Sequence, residues 1–338
     1  MLRPLALLAV LAAAPAGAKP MADPPRAVTG GDFWREVVEP HAEEIARIVT
    51  NVRLGMRYAD DALQTDAEWA VDQRMRYFED AYGMLRYARG LSPENADVLQ
   101  LLGRAADELG KTKVAIEALE SYVRIVGPDK ASAEVLGRLG AIHLRLGERD
   151  AAIRWLRLAQ GPLRPDTVHA LVDLANALAS RGEVSAAIDV IQSSLPSQAM
   201  SYYSQELSLA MFALAVIYDR DEQRAAAFEV FDRMQQTLQH ALAPQLQNIL
   251  ATMRFAPAED QHYYQGLMYE VLEQFPEARA AFALYAASGD SPWRARALEH
   301  IRAIDDRRRE GNKLRRGAVR LTSPTYPFPP PPTPPVTP

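Results

Sequence analysis

The sequence predicts an all-α protein, a solenoid of antiparallel helix hairpins. The first observation behind this prediction is a short sequence motif that occurs three times. It consists of a glycine, then Ala-Ile beginning five residues later, then a large aliphatic residue four positions after that alanine. The copies begin at Gly110, Gly147 and Gly182, so they are 37 and then 35 residues apart. This period is typical of stacked helix hairpins, each of which needs its neighbours to bury its apolar face.

The second observation is the helical spacing inside one copy. Steps of three and four residues place four residues of the central copy on one helix face: Leu136, Leu139, Gly140 and His143. Gly147 should end that helix, because glycine accommodates the left-handed conformation just past a helix C-terminus. In the next helix, Ala152 and Leu156 should face back toward the first, and the small Ala152 should allow a close approach.

Five consecutive segments repeat a similar succession of small, apolar and aromatic positions; the fourth is less regular, and the fifth departs in its first helix, where His262 and Gln265 replace the apolar positions. They are Leu99, Leu102, Gly103, Ala106, Ala115 and Leu119; Leu136, Leu139, Gly140, His143, Ala152, Leu156 and Pro165; Leu171, Leu174, Ala175, Leu178, Ala187 and Ile191; Met211, Leu214, Ala215, Tyr218, Ala227 and Phe231; and Gly266, Tyr269, Ala278 and Phe282. In this order the positions resemble the tetratricopeptide repeat, whose pattern is W-x2-L-G-x2-Y, then A-x3-F, then P. The resemblance covers roughly residues 67–290, and it implies a right-handed superhelix.

Residues 1–18 have the pattern of a secretory signal peptide. Arg3 gives a short positive start, an apolar run extends from Leu5 to Ala14, and Ala16-Gly-Ala18 offers an A-x-A cleavage signal before Lys19. The run is about half of the roughly 20 residues that a membrane-spanning helix requires, so a transmembrane helix is the weaker interpretation. We therefore expect export to a bacterial periplasm or cell surface, with no transmembrane span in the mature chain.

Residues 19–31 are rich in proline and glycine and predict a flexible leader. Asp32 is a suitable N-cap, and apolar residues keep helical spacing from His41 to Leu63. Thr65-Asp-Ala-Glu68 then offers a capping box for a second long helix. We interpret residues 32–91 as a long helix pair that caps the solenoid, because an end repeat otherwise exposes its apolar face.

The repeats should occupy residues 92–290, although their period stretches between the fourth and fifth units. Pro244 suits the first turn of an additional helix near residues 244–255, unless the fourth unit has a long second helix that is kinked there. The sequence leaves both interpretations open. Residues 291–316 predict a C-terminal capping helix with a basic end, and residues 317–338 predict a disordered, proline-rich tail.

Charge is distributed unevenly along the chain. The formal net charge is −5. Because residues 1–18 contribute +1 and residues 307–338 contribute +6, residues 19–306 carry −12. A nucleic-acid binder should present basic residues on its folded surface, so this distribution argues against a nucleic-acid partner. The basic end either offsets the dipole of its helix and stays solvated, or makes peripheral contact with an anionic surface.

The sequence contains no recognisable catalytic motif, since H-E-x-x-H, G-x-S-x-G and a phosphate-binding glycine loop are all lacking. Its six histidines are scattered, and its lack of cysteine leaves neither a thiol nucleophile nor a disulfide. His143 falls at a repeat core position and is expected to be a packed histidine. We therefore predict a non-enzymatic protein with no cofactor and no bound metal.

The resemblance implies that partners bind along the concave face lined by the first helix of each unit. Transferring that register places these residues on the inner surface: Gln100, Arg104, Asp107, Arg138, Ala141, Arg145, Asp173, Asn176 and Ser180. Asn176 stands where carboxylate-binding members have an asparagine, but the lysines that complete their clamp are missing. Arg104, Arg138 and Arg145 predict a positive strip that could hold an acidic partner segment. The alternative for each residue is a solvated polar side chain.

Two functions from different classes fit these observations. The first is a non-enzymatic periplasmic scaffold whose concave groove binds a protein or peptide partner within an envelope or secretion assembly. The second is a structural subunit of an enzyme or transport complex, bound through its convex or end surfaces.

Overall fold

The structure is a computed structural model that describes residues 41–62, 68–195, 204–238, 241–253, 255–289 and 291–321. This part of the chain contains α-helices and no β-strand, which confirms the predicted fold class. The predicted signal peptide, the leader, the Asp32 N-cap, the Thr65 capping box and the chain after Leu321 lie outside the described residues.

The helices form hairpins in chain order. The N-terminal pair is α1 (Ala42–Ala62) and α2 (Glu68–Leu91), followed by α3 (Ala96–Glu108) with α4 (Thr112–Val126), α5 (Ala133–Arg145) with α6 (Arg149–Leu158), and α7 (Val168–Ser180) with α8 (Val184–Ser194). Next come α9 (Gln205–Arg220) with α10 (Arg224–Leu238), the single helix α11 (Leu242–Thr252), α12 (Asp260–Val271) with α13 (Phe275–Ala287), and α14 (Arg294–Leu321).

In three of the repeat hairpins a glycine of the first helix faces a large residue of the second. A Cβ atom added at Gly140 of α5 would overlap the side chain of Leu156 on α6. The same arrangement pairs Gly103 with Leu119 and, in the fifth hairpin, Gly266 with Phe282. Ala152 and Leu156 are fully buried, as the repeat register predicts.

The turns between paired helices use the left-handed backbone conformation. Gly110, Gly147 and Gly182 have φ angles of 69°, 76° and 84°, so the predicted helix ends are confirmed. In the fourth and fifth hairpins the same position holds Glu222 and Glu273, with φ angles of 60° and 58°. A side chain with a Cβ is strained there, and the fainter sequence pattern of these two units includes this loss of glycine.

Several first helices begin with a side-chain cap. The Asn95 side chain accepts a hydrogen bond from the backbone N–H of Val98 at 3.1 Å. Ser132 and Ser204 cap α5 and α9 in the same way. These caps satisfy backbone donors that a helix cannot satisfy internally, and they define the starts of α3, α5 and α9.

The first helices of successive hairpins pack against one another more closely than the second helices do. A stack with this property curves, with α3, α5, α7 and α9 along its inner side and α4, α6, α8 and α10 along its outer side. The inner side therefore corresponds to the concave groove that the sequence predicts.

The stretched period between the fourth and fifth hairpins holds the separate helix α11, with Pro244 in its first turn. Its buried residues Leu246 and Ile249 belong to the common core, and the helix packs chiefly on α9. At the other end of the chain, α14 continues to Leu321, five residues beyond the boundary predicted at residue 316.

We predict that Gly140→Ala destabilises the protein by about 1–3 kcal/mol, because the added methyl group overpacks the contact with Leu156. The sign is informative, since replacing a helical glycine by alanine normally stabilises a protein by about 0.5–1 kcal/mol. The matched control is Gly83→Ala in α2, where an added Cβ meets no atom within 4 Å. Chemical denaturation should show opposite changes in the free energy of unfolding. A stabilising Gly140→Ala would contradict the observed hairpin contact.

Candidate partner-binding surface

The predicted inner-surface residues lie on the first helices, as the register requires. Gln100, Arg104 and Asp107 are on α3, Arg138 and Arg145 are on α5, and Asp173 and Asn176 are on α7. Their environments differ from the expected solvated polar surface, because most of them are half-buried.

The three arginines of the expected positive strip are engaged in ion pairs. Arg104 donates from Nη2 to both carboxylate oxygens of Asp60 on α1, each at 2.6 Å. Arg138 donates from Nη1 to Asp107 at 2.8 Å and to Glu108 at 3.0 Å. Arg145 donates to the other oxygen of Asp107. The expectation of an uncompensated positive strip is therefore wrong.

The centre of this network is shielded from water. The Arg138 side chain is 13% exposed, whereas Asp107 and Glu108 are 4% and 5% exposed. Burial alone would lower the pKa of Arg138, but the carboxylates of Asp107 and Glu108 raise it above its ordinary value. Glu108 also accepts a hydrogen bond from Arg74 of α2. The guanidinium of Arg138 thus holds two buried carboxylates in place between α3 and α5.

Farther along the inner side, Asn176 is engaged within the chain. Its Oδ1 atom accepts hydrogen bonds from the Tyr264 hydroxyl at 3.1 Å and from Nη1 of Arg220 at 3.4 Å. Tyr264 belongs to α12, so the fifth hairpin reaches across α9 to α7. This placement removes the Asn176 carbonyl oxygen from the set of groups that a partner could use directly.

Arg220 is buried among aromatic rings beside this contact. Its guanidinium carbon lies 4.8 Å, 5.5 Å and 5.5 Å from the ring centroids of Tyr263, Tyr264 and Trp293. An Arg220 nitrogen also lies 3.1 Å from a carboxylate oxygen of Asp260. Burial would lower the pKa of Arg220, but Asp260 raises it above its ordinary value. The buried cation is therefore compensated by one carboxylate and three ring faces.

A second buried network joins α9, α12 and α14. His300 lies between two carboxylates, with Nδ1 at 2.6 Å from Glu270 and Nε2 at 2.8 Å from Asp219. Asp219 also accepts hydrogen bonds from Tyr263 at 2.7 Å and from Arg296 at 2.9 Å. Arg224 donates to Glu270 at 2.6 Å, so both carboxylates have a cationic partner besides the histidine.

These contacts determine the protonation of the network. Burial would lower the pKa of His300, but its bonds to Asp219 and Glu270 raise it above 6.5. Burial would likewise raise the pKa of Asp219, yet the contacts with His300, Arg296 and Tyr263 lower it to about 2. His300 is accordingly the positive link between two first helices, α9 and α12, and the C-terminal helix.

The inner side has a part that is covered by the protein's own chain, around α9, and a part that is half-exposed, on α3 and α5. Thirteen of the sixteen residues of α9 are buried, and Phe212 of this helix stacks edge-on against Tyr264 at 5.3 Å. Half-exposed inner positions remain on α3 and α5, among them Gln100 and Ala141. The candidate partner-binding surface is therefore the inner side of α3 and α5 with the adjoining part of α7.

The sequence interpretation missed the residues that close the inner side. Asp219, Tyr263, Glu270 and His300 come from three helices and were not singled out. A signal was present for His300, since it follows Ala297 by three residues on the apolar face of its helix. The partners are separated by 30 and 81 residues, a distance that no local pattern spans. His143 is buried as predicted, and its Nδ1 atom lies 2.6 Å from Glu148.

Among the residues that the structure describes, no group of three or more histidine and carboxylate side chains is placed to hold a metal ion. No helix in the described ranges is long and apolar enough to cross a membrane.

Comparison with known proteins supports the class of protein that these hairpins define, an α-solenoid repeat protein. Residues 138–202 match the family model of the tetratricopeptide repeat. The hairpin contact between Gly140 and Leu156 lies within this matched segment. A search of the curated proteins returns no match.

Similar solved structures include the MamA protein, which is 21% identical over 55% of this chain and 91% of that chain, with a TM-score of 0.39. BtubC (BKLC) from P. vanneervenii is 16% identical over 57% of this chain and 90% of that chain, with a TM-score of 0.41. Cut9–Hcn1, a hetero-tetramer of the APC/C, gives 15% identity over 80% of this chain and 51% of that chain, with a TM-score of 0.43.

We predict that Arg138→Ala destabilises the protein by about 3–5 kcal/mol, because it leaves two buried carboxylates without their shared cation. Arg154→Ala on the outer side is the control, since Arg154 is exposed and its loss should change stability by no more than about 0.5 kcal/mol. The measurement is urea denaturation of both variants. If the two arginines prove equally dispensable, the buried ion pair does not hold α3 to α5.

We also predict that the stabilising contribution of His300 depends on pH. Because its folded-state pKa is raised, the contribution is fully present below the ordinary value of 6.5 and is lost as pH rises through the folded-state pKa. The difference in Tm between wild type and His300→Gln should therefore be largest at pH 6 and should shrink at alkaline pH. His262→Gln is the control, because His262 is half-buried and bonds only to Gln265 among the contacts described for its ring. A difference that grows with pH would refute the assignment.

Proposed function

We propose that the protein is an exported, non-enzymatic scaffold of the bacterial cell envelope that binds a protein or peptide partner on the inner side of α3 and α5. The observation that carries the proposal is the contrast along the inner side. The first helix α9 is covered by its own chain, whereas α3 and α5 keep half-exposed positions that contribute neither to the core nor to a hairpin contact.

The chemistry of this surface favours a polar partner segment. The charges on this surface are already paired within the chain. A partner segment with a run of like charges would therefore add little binding energy. Gln100 offers an amide that both donates and accepts, and Ala141 contributes a small, half-buried side chain on α5. An extended peptide or a helix with mixed polar groups fits such a surface better than an acidic segment does.

The N-terminal pattern of residues 1–18 supports the exported location, and the lack of catalytic motifs supports a scaffold. The family resemblance points the same way, because tetratricopeptide repeats usually mediate contacts between proteins. An exported scaffold that binds other proteins would act within an envelope or secretion assembly.

One observation favours the second function, a structural subunit bound through its end. The α1–α2 pair carries exposed large apolar residues: Leu54, Tyr58, Trp69, Met84 and Tyr87. Trp69 and Tyr58 are 60% and 50% exposed. A patch of this kind is a common docking surface, so the test has to separate the inner side from this end surface.

We predict that Ala141→Trp reduces partner recovery from an envelope extract by at least tenfold, because the indole adds bulk at a half-exposed inner position of α5. Glu120→Trp is the matched control, since it places the same side chain at an exposed position of the outer helix α4. Crosslink mapping of the bound partner should locate it on α3 and α5. The recovered protein should begin at Lys19 when its N-terminus is sequenced.

The possible results are distinct. Equal recovery by Ala141→Trp and Glu120→Trp would remove the inner side from the binding surface. Loss of recovery in Tyr58→Ser with Trp69→Ser, with crosslinks on α1 and α2, would favour the structural subunit. A mature chain that still starts at Met1 would overturn the exported location.

A further inference from the structure

The N-terminal helix pair carries a surface of aromatic and aliphatic side chains that spans both helices. In α2, steps of seven and three residues place Tyr77, Met84 and Tyr87 on one helix face. The Tyr77 ring lies 6.1 Å from the ring of Tyr58, so the surface continues onto α1. The Tyr87 hydroxyl donates a hydrogen bond to Glu44 of α1 at 3.0 Å, which joins the two helices again farther along the pair.

Two further residues extend this surface. Leu54 precedes Tyr58 by four residues, about one turn of α1, and Trp69 precedes Tyr87 by eighteen residues, about five turns of α2. Trp69, Tyr87 and Tyr58 are 60%, 55% and 50% exposed. Large apolar side chains exposed together indicate a docking site. We call the following set of residues the aromatic surface: Leu54, Tyr58, Trp69, Tyr77, Met84 and Tyr87.

The polar atoms of the aromatic surface are suited to a ligand that accepts hydrogen bonds. The indole Nε1 of Trp69 can only donate. The hydroxyl oxygen of Tyr77 accepts a hydrogen bond from Nε2 of Gln73 at 3.2 Å, which leaves its own hydrogen for an acceptor. None of the six side chains carries a charge. A fitting ligand is therefore uncharged, rich in acceptors and able to pack apolar rings on aromatic ones.

The chain itself contains a segment with this chemistry. Nine of the sixteen residues from 323 to 338 are prolines, and none has a charged side chain. Proline has a carbonyl group but no N–H group, so the segment offers more backbone acceptors than donors. Proline-rich sequences favour the polyproline II conformation, and grooves lined by aromatic side chains recognise them in this form.

The dimensions of the two parts agree. Trp69 and Tyr87 lie eighteen residues apart on one helix, so the aromatic surface is about 27 Å long at a rise of about 1.5 Å per residue. A polyproline II helix rises about 3.1 Å per residue, and about nine residues cover the same length. Residues 325–333 provide them, with four consecutive prolines at 329–332.

We propose that the aromatic surface of one copy binds the proline-rich segment, residues 323–338, of a second copy. The α1–α2 pair and α14 stand at opposite ends of the described chain, with five repeat hairpins between them. Stacked helices lie about 8–10 Å apart, so roughly 50 Å of stack separates the two ends. The residues after Leu321 extend over about 50 Å, and half of that length is needed along the surface itself. A second copy meets no such limit.

Binding of this kind is heterologous, because two different surfaces meet. Each bound copy still has a free aromatic surface or a free segment, so copies can join head to tail. Charge favours their encounter, since residues 307–338 carry +6 and residues 19–306 carry −12. The inner side of α3 and α5 takes no part, so the head-to-tail contact and the proposed partner-binding surface can be tested independently.

The first test is sedimentation velocity of the full-length protein over a range of concentrations. We predict association that increases with concentration. Tyr58→Ser with Trp69→Ser should raise the dissociation constant at least about tenfold, because aromatic anchors dominate such contacts. The matched control is Ile125→Ser with Leu284→Ser, which removes two exposed apolar side chains from other helices and should leave association unchanged. Circular dichroism would verify that every variant is folded.

The second test mixes two variants, and it separates a second copy from the same molecule. Serine at all four positions 329–332 should abolish association as the surface variant Tyr58→Ser with Trp69→Ser does. The surface variant keeps its proline-rich segment and the proline variant keeps its aromatic surface, so their mixture should form a complex of one copy of each. A synthetic peptide of residues 323–338 should bind the proline variant and block this complex.

Four results would overturn the proposal. They are a wild type that stays monomeric at every concentration, equal association by the surface variant and its control, association that survives serine at positions 329–332, and a mixture of the two variants that forms no complex.

Discussion

The fold depends on the close contact between the two helices of each hairpin. Where Gly140 faces Leu156, the first helix offers only hydrogen at the point at which the second inserts a branched side chain. The contact sets the distance between the paired helices, and this distance decides how far their next residues reach toward the following hairpin. It recurs with Gly103 and Gly266, so the first, second and fifth repeat hairpins share this contact, and the buried residues of all the hairpins form a continuous core.

A second set of contacts determines how the stacked hairpins are held together on the inner side. Arg104 and Arg138 each connect a first helix to an earlier one through a carboxylate, and Arg296 connects the C-terminal helix to α9 in the same way. The pairs made by Arg138 and Arg296 are stronger than surface ion pairs, because their carboxylate partners Asp107 and Asp219 are nearly excluded from water. The buried pairs also make the register of stacking specific, since a shift of one turn would leave a charge uncompensated.

The sequence predicted the parts of this structure that are governed by local patterns. The glycine turns, the alanine and leucine contacts and the long N-terminal pair follow from spacing within about twenty residues, and the structure contains them. The ion pairs could not be predicted in the same way. Asp60 and Arg104 are 44 residues apart, and His300 binds a carboxylate 81 residues away. An arginine on an inner face looks the same in sequence whether water or a buried carboxylate is its partner.

This limit explains why the candidate surface in the structure is smaller than the surface that the repeat register predicts. The inner positions of α3, α5 and α7 were chemically equivalent in the repeat register, but the fifth hairpin breaks that equivalence. By placing Tyr264 against Asn176, it ties α12 to α7 and buries α9 between them. The inserted α11 packs on α9 and adds to the same closure. The inner side of the C-terminal half is thereby covered by its own chain and cross-linked by His300, while α3 and α5 in the N-terminal half keep half-exposed inner positions.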